Sequence, residues 1–476
     1  MLFNSFHFIL FFIVVTTLYY LLPFSKRWIL LLLASCYFYM AFVPIYILIL
    51  GFTIVVDYFA GIAIENAQGK RRKSFLIISL IANIGVLCVF KYFNFINDNI
   101  GFLLHGFALK NPIPYLHILL PIGLSFHTFQ AMSYTIEVYR GNQKTERHFG
   151  LYALFVMFYP QLVAGPIERP QNLLHQFRQN HSFNSDRVMD GLKQMLWGFF
   201  KKLVVADRVA LYVNTCYNTL EYQQGFPLIL ATLFFSIQIY CDFSAYSDMA
   251  LGAAKVMGFD LMKNFNRPIL AKSTGEFWKR WHISLSTWFK DYLYFPLGGN
   301  KVHVARRYFN LMVVFFISGL WHGANWTYVI WGCINGFYLI FALATKTYRD
   351  KFNTAIGITK FKALYTVYQI VITYVLISLS RVFFRATSIQ DAVLVFKKMC
   401  TTSGSIFAQG TSVLLYSFFA IAILLAVEIK REFYPNSFSI SNHKTFWVRA
   451  SYYAVIVIII FMFGVFDGGQ FIYFQF

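Results

Sequence analysis

A long apolar stretch without charged residues most constrains how this chain can fold. Between Arg307 and Lys346 the sequence carries no Asp, Glu, Lys or Arg. Comparable aliphatic runs recur from end to end, and 13% of all residues are charged, against about 25% in an average soluble protein. Since a transmembrane helix needs about 20 apolar residues, the sequence predicts an integral membrane protein of many spans, with no room for a sizeable soluble domain.

The basic residues are distributed as in a membrane protein. The formal net charge is +21, but Lys and Arg lie in short loops between apolar runs and not along one face. Such loops follow the positive-inside rule and contact anionic lipid headgroups, so we expect a lipid bilayer and no nucleic acid as partner. Lys26-Arg27 and the basic cluster 70–73 lie on one side of the membrane if two spans separate them, which predicts that the N-terminus is outside the cytoplasm. The first apolar run lacks a signal-peptide cleavage pattern and is expected to remain as the first span.

We expect a single multi-pass domain over residues 1–476. Its parts are N-terminal helices in 1–150, a catalytic core in 151–350 and C-terminal helices in 351–476. Apolar runs predict spans at 5–22, two within 28–65, then 75–96, 115–137, 192–215, 226–246, 310–345, 364–383, 411–428 and 447–466.

His322 lies almost midway along the charge-free stretch. A polar group moved into hydrocarbon costs about 2–7 kcal/mol if nothing hydrogen-bonds it, and in membrane proteins such residues usually serve function. Gly319 and Gly323 favour a break there, so we expect 308–321 to form a short or half helix and His322 to lie at a bend inside the protein. The alternative is a structural histidine that bonds a neighbouring helix.

A second histidine, His282, lies in the least membrane-like segment, between Asn264 and Arg307. This segment mixes charges with aromatic residues, which favours an interfacial or re-entrant helical piece. His282 could be an amphipathic anchor beside Trp278. Alternatively, the two histidines meet at a water-filled cavity, where one acts as general base and the other orients or polarises a substrate.

A third group of polar residues ends an otherwise apolar run. Gln238, Asp242 and, roughly, Tyr246 fall on one helical face at i, i+4 spacing. Carboxylates at this depth need partners, and we expect Lys279 or Arg280 to supply one. The group is either a structural ion pair or a carboxylate that sets a histidine tautomer.

Several other kinds of chemistry have no support in the sequence. The six cysteines are scattered singly, and no Walker loop, GxSxG, HExxH or GxGxxG motif occurs. A metal site at His282 and His322 lacks a third convincing ligand, so we expect no metal. His127, within an apolar helix, is expected to bond a neighbour.

Several long motifs occur in order along the chain. They are Leu120–Phe126, Pro160–Arg169, Tyr240–Asp248, Asn264–Pro268, Trp278–Asp291, Ser318–Trp326 and Phe471–Phe476. With these motifs the sequence resembles the membrane-bound O-acyltransferase (MBOAT) family, specifically the bacterial branch that contains alginate O-acetyltransferase, peptidoglycan O-acetyltransferase and the teichoic acid D-alanyl transferase component.

The resemblance implies an all-α integral membrane fold of about 11–14 transmembrane or re-entrant helices around a catalytic funnel or tunnel. It implies that His322 is catalytic and that His282 is a second active-site residue. To these we add supporting or substrate-binding roles for Trp321, Asn325, Asp242, Gln238, Trp278 and Arg280.

The implied reaction moves an acyl group, foremost acetyl, from a cytoplasmic thioester to hydroxyls of an exported or cell-wall polysaccharide. The donor substrate is acetyl-CoA or an acyl-carrier thioester, and no bound cofactor is expected. An extracytoplasmic partner of the SGNH-hydrolase type and a place in the bacterial cytoplasmic membrane are also implied.

Two other functions remain open from the sequence. One is D-alanyl transfer to teichoic acid from a carrier protein. The other is an intramembrane transporter or flippase, because His and Asp within spans also mark proton relays.

Overall fold

The protein is all-helical throughout the described residues. A computed structural model describes residues 1–118, 121–438, 440–466 and 471–472, and none of these lies in a β-strand. The predicted all-α class is therefore confirmed. Of the motifs quoted above, Leu120 and residues 473–476 lie outside the described residues. The chain forms two compact units: the first includes residues 1–195 and 247–263, and the second 196–246 and 264–472 with the same gaps.

The described residues form the following α-helices in chain order. In the first half they are α1 (Phe6–Leu21), α2 (Phe24–Met40), α3 (Ile47–Asn66), α4 (Gly69–Leu87), α5 (Phe93–Gly106), α6 (Leu124–Arg140), α7 (Phe149–Met157), α8 (Pro170–Leu173), α9 (Ser185–Phe199), α10 (Asp207–Asn218) and α11 (Gly225–Val256). They continue with α12 (Thr274–Arg280), α13 (Ile283–Phe289), α14 (Val304–His322), α15 (Trp326–Ala344), α16 (Lys346–Ala355), α17 (Lys362–Arg385), α18 (Ile389–Thr401), α19 (Thr411–Phe433) and α20 (Phe446–Phe463).

Seven helical stretches are long and apolar enough to cross a membrane. By length and composition these candidate spans of the described residues are Pro44–Asn66, Gly69–Gly106, Gly225–Val256, Trp326–Ala344, Lys362–Arg385, Thr411–Phe433 and Phe446–Phe463. The most apolar part of Gly225–Val256 is 78% buried and that of Phe446–Phe463 only 6%. An apolar helix so little buried needs lipid around it, and the chain is a multi-pass membrane protein.

The predicted end of the fourth span is wrong. The helix does not end at residue 96, because α4 runs through a π-helical turn into α5 as far as Gly106. The polar Asn97 is buried there, and its amide donates to the carbonyl of Ile113 at 3.1 Å. A satisfied side chain does not need to leave the helix for water.

The polar tract after residue 238 also does not end its helix. α11 continues past Asp242 and Asp248 to Val256. Gln194 donates its amide to Asp248 at 3.0 Å, and Lys202 donates to Asp242 at 2.6 Å. Because distant parts of the chain supply these partners, the carboxylates are tolerated inside a long helix.

The expected break beside His322 is confirmed. α14 ends at His322, and α15 begins at Trp326 after a three-residue connection. The expected short arm over 308–321 is wrong, because α14 begins at Val304 and has 19 residues. The helix gains its first turn from Arg306 and Arg307, and long basic side chains can extend from a helix end toward water.

Two glycines let α14 and α15 pack backbone against backbone. A Cβ atom on Gly319 would lie 2.4 Å from the carbonyl oxygen of Tyr328, and one on Gly332 would lie 2.3 Å from that of Phe315. Such contacts require small residues at the helix interface.

We expect Gly319→Ala to destabilise the protein by about 1–3 kcal/mol, the usual cost of an overpacked interior. Thermal unfolding of the detergent-solubilised protein measures the effect. Gly51→Ala is the matched control, because its Cβ would meet nothing within 4 Å in another candidate span. Equal melting temperatures for the two variants would contradict the close packing.

Candidate active site

The imidazole of His322 packs against three aromatic rings. It is the last residue of α14 and is 3% exposed. Its ring centroid lies 5.0 Å from that of Trp331 on α15, 5.5 Å from Phe384 on α17 and 4.9 Å from the adjacent Trp321. The break after α14 thus places the imidazole against rings from two other helices.

His282 is the second of the two residues between α12 and α13, directly before Ile283. It is 1% exposed and has φ 43° and ψ 56°, a left-handed conformation that is uncommon for residues other than glycine. Its Nδ1 lies 3.1 Å from Oδ1 of Asn264, and its ring meets the edge of Phe243 at 4.7 Å. His282 lies outside the seven candidate spans, and burial lowers the pKa of its imidazole to about 3, so the ring is neutral at physiological pH.

Trp321 connects the two histidines. Its ring centroid lies 6.1 Å from that of His282 and 4.9 Å from that of His322. The imidazoles are therefore no farther apart than the sum of these distances. The structure places the two predicted catalytic residues in one unit, around one indole.

Asp242 does not have the partner expected from the sequence. Lys202 Nζ lies 2.6 Å from Oδ1 of Asp242 and 2.8 Å from Oδ1 of Asp207. The backbone N–H of Ile472 donates to the other oxygen of Asp242 at 2.7 Å. Of the two alternatives left open by the sequence, the structural ion pair is therefore the one observed.

Arg280 takes part in a different ion-pair network. Its guanidinium lies 2.6 Å from Glu276 and 2.7 Å from Glu432, and Glu432 also accepts from Arg267 at 2.5 Å. The predicted pairing of Arg280 or Lys279 with Asp242 is therefore wrong. The network fastens α12 to α19.

The remaining predicted residues have different positions and roles in the fold. The ring of Trp278 meets that of Trp331 edge to face at a centroid distance of 5.9 Å, and Trp331 in turn contacts His322. Asn325 caps α15 by accepting the backbone N–H of Thr327 at 2.9 Å. Gln238 is 7% exposed on α11, one turn before Asp242.

His127 has the neighbour-bonding role expected for it. Its Nε2 lies 2.6 Å from the hydroxyl of Thr53, in the first unit of the chain. The other two buried histidines, His282 and His322, belong to the second unit. Among the described residues no group of three or more His, Cys, Asp or Glu could hold a metal ion, and all six cysteines are free.

Two features of this region were missed in the sequence. Lys201 and Lys202 are both buried in a π-helical turn (Phe200–Ala206), and two lysines inside an apolar run could have signalled a buried ion pair. Asn264 lies in one of the motifs, but its role could not be predicted because polar contacts made by a loop residue are not visible in a linear pattern.

Comparisons with known proteins agree with this architecture. Residues 148–384 match the model of the MBOAT, membrane-bound O-acyltransferase family. The probable alginate O-acetylase AlgI of Pseudomonas aeruginosa is 38% identical over 385 residues, which are 80% of this chain and 71% of the relative. The peptidoglycan O-acetyltransferase of Helicobacter pylori is 36% identical over 408 residues, 80% of this chain and 75% of the relative.

A more distant relative matches a smaller part. The teichoic acid D-alanyltransferase of Streptococcus thermophilus is 30% identical over 236 residues, which are 46% of this chain and 56% of that protein. The all-helical fold and the extent of these matches define a membrane-embedded acyltransferase. The chain belongs to the membrane-bound O-acyltransferase family.

We expect Lys202→Met to cost about 3–5 kcal/mol of stability, because removing one partner leaves a buried charge uncompensated. Lys202 is 1% exposed between two carboxylates. Thermal unfolding in detergent measures the loss, and Asp242→Asn in the same chain should recover part of it.

Lys193→Met is the control for that substitution. Lys193 forms a solvent-accessible pair with Asp190 at 3.7 Å, and exposed pairs contribute about 0–1 kcal/mol. If both methionine variants unfolded at the wild-type temperature, the stabilising role of the buried pair would be disproved.

Proposed function

We propose that this enzyme transfers an acetyl group from a cytoplasmic thioester, acetyl-CoA, toward hydroxyl groups of an exported polysaccharide. The observation that carries the proposal is the juxtaposition of His282 and His322 around Trp321, both nearly excluded from solvent. The names of the relatives, an alginate O-acetylase and a peptidoglycan O-acetyltransferase, support acetyl transfer to a glycan.

The role assigned to His322 is that of the reacting imidazole. As a general base it takes the proton of the acceptor hydroxyl while the oxygen attacks the thioester carbonyl. The new C–O bond forms, the C–S bond breaks, and the leaving thiolate receives the proton. As a transient acyl carrier the imidazole itself attacks first and then passes the acetyl group to the hydroxyl. Both routes convert thioester and alcohol into ester and thiol.

The aromatic surroundings suit this chemistry. Trp321, Trp331 and Phe384 contact the His322 ring, and the residue is 3% exposed. A site that excludes water also protects a thioester from hydrolysis. His282 is neutral and contacts the same indole ring, that of Trp321. It is assigned to orienting or polarising a substrate.

The acetyl donor is assigned from the pattern of relatives. The proteins named as O-acetylating enzymes match about four-fifths of this chain, whereas the D-alanyltransferase matches less than half of it. This difference favours acetyl-CoA over a carrier-protein thioester and acetyl over D-alanyl.

The position in the cell follows from charge and reaction. Acetyl-CoA is a cytoplasmic metabolite and the acceptor is exported, so the enzyme is assigned to the bacterial cytoplasmic membrane. The basic clusters Lys26-Arg27 and 70–73 are assigned to the cytoplasmic side by the positive-inside rule, with the N-terminus outside. A protein of the SGNH-hydrolase type outside the membrane is the proposed partner that completes transfer to the sugar.

We expect His322→Ala to lower acetyl transfer by at least about 10²–10⁴-fold, the contribution of a positioned acid or base. Membranes that contain equal amounts of each variant are given radiolabelled acetyl-CoA and polysaccharide, and the label in the polymer is counted. His303→Ala, at the exposed start of the same helix, is the control and should retain activity. Normal labelling by His322→Ala would refute the assignment.

We expect the detergent-purified enzyme to release CoA thiol from acetyl-CoA in a His322-dependent manner. The same assay is run with acetyl groups loaded on an acyl-carrier protein. Thiol release from the carrier alone would overturn the choice of donor. In a single turnover without acceptor, a burst of thiol equal to the enzyme present would identify the acyl-histidine route.

A further inference from the structure

The chain segment after Asn264 is paired with the break between α12 and α13. The backbone N–H of Asn266 donates to the carbonyl of Arg280 at 2.9 Å, and the N–H of Ile283 donates to the carbonyl of Asn264 at 2.9 Å. These two bonds enclose His282 on both sides. They stabilise its left-handed backbone, a conformation that is strained in residues other than glycine, and bring Asn264 beside its ring.

The orientation of the Asn264 carboxamide follows from hydrogen-bond chemistry. The backbone N–H of Ser284 lies 3.2 Å from the atom assigned as Oδ1, and the Ser284 hydroxyl lies 2.9 Å from the same atom. A backbone N–H can only donate. The carboxamide atom that faces it must therefore be the oxygen and not the nitrogen.

That oxygen determines which nitrogen of His282 carries the proton. Nδ1 of His282 lies 3.1 Å from Oδ1 of Asn264, and a neutral imidazole has one N–H donor and one acceptor nitrogen. Because a carbonyl oxygen cannot donate, Nδ1 must be the protonated nitrogen. Nε2 is then the nitrogen with the lone pair, which is able to accept a proton or a hydrogen bond from a substrate hydroxyl.

We propose that Asn264 is the positioning residue of the active site, which fixes the tautomer and ring orientation of His282 through the contact from its Oδ1 to Nδ1. This inference rests on the proposed function in one respect, namely that His282 takes part in acyl transfer. Asn264 has the tautomer-setting role for which the sequence offers a carboxylate, Asp242, as one alternative. It also caps α13, because its oxygen accepts the N–H of Ser284 in the first turn.

The choice of a carboxamide instead of a carboxylate has a chemical consequence. A carboxylate at this place would favour the protonated imidazole and raise its pKa by about 1–3 units. Asn264 orients the ring without adding charge. The ring contacts Phe243, Phe265 and Trp321 at centroid distances of 4.7, 6.4 and 6.1 Å. A neutral acceptor beside it favours the neutral imidazole, in which Nδ1 alone carries a proton.

Two substitutions of Asn264 test the proposal. Asn264→Leu keeps the approximate shape but removes the acceptor, and we expect kcat for acetyl transfer to fall by about 10- to 100-fold, as for other partners that orient a functional histidine, with little change in KM. Asn264→Asp keeps the acceptor for all three donors and adds a charge. We expect it to retain activity at high pH, with the acid limb of the pH–rate profile moved upward by about one unit or more.

A matched control separates positioning from capping. Asn184 accepts the backbone N–H of Arg187 at 2.8 Å at the start of α9 and is exposed, in the other unit. Asn184→Leu and Asn184→Asp should leave the pH–rate profile unchanged. Thermal unfolding is measured for every variant, and Asn264→Asp remains informative if Asn264→Leu does not accumulate in membranes.

His282→Ala distinguishes failure of this inference from failure of the proposed function. If His282→Ala is inactive while Asn264→Asp shows the wild-type pH–rate profile and Asn264→Leu the wild-type kcat, the positioning role of Asn264 is refuted. If His282→Ala retains full activity, the role of His282 itself is wrong. A shifted profile for Asn264→Asp together with an inactive His282→Ala supports both.

Discussion

The backbone contact between α14 and α15 is the interaction on which the site depends. Gly319 lies three residues before His322 on α14, and Gly332 directly follows Trp331 on α15. The same turns that allow the helices to approach therefore carry the imidazole and the indole that packs against it. Larger residues at these glycines would separate the helices and withdraw Trp331 from His322. The two glycines thus determine how closely the helices approach, and this distance sets the relative positions of His322 and Trp331.

The charged residues stabilise the fold through ion pairs, whereas the aromatic residues pack against the two histidines. Lys202 neutralises Asp242 and Asp207, and Arg280 is held by Glu276 and Glu432. These ion pairs connect separate helical elements. From the sequence alone, Asp242 and Arg280 could be assigned to the surroundings of the histidines, but in the structure both form ion pairs with other charged residues. Aromatic rings pack against both His282 and His322, and in a buried site a single well-placed polar atom has a large effect.

Much of the fold could be predicted because hydropathy reports directly on burial in lipid. The spans and the break next to His322 follow from apolar runs and glycine positions. Helix ends were wrong where a polar side chain finds a distant partner: Asn97 bonds Ile113, and Asp242 bonds Lys202, which precedes it by 40 residues. Helical spacing tells which residues share a face, but it does not tell which element packs against that face. For the same reason the two histidines could be selected from the sequence, whereas the contact between His282 and Asn264, across 18 residues and a loop, could not.

The bond from Ile472 to Asp242 has a consequence for the order of events during synthesis. The two residues are separated by 230 positions, so the carboxylate enters the membrane long before the backbone N–H that will bond it has been made. Lys202 and Asp207, in contrast, precede Asp242 and are available as soon as α11 is inserted. The ion pair can therefore hold α11 in place through most of translation, and the polar core of the second unit is completed only when the segment around Ile472 arrives.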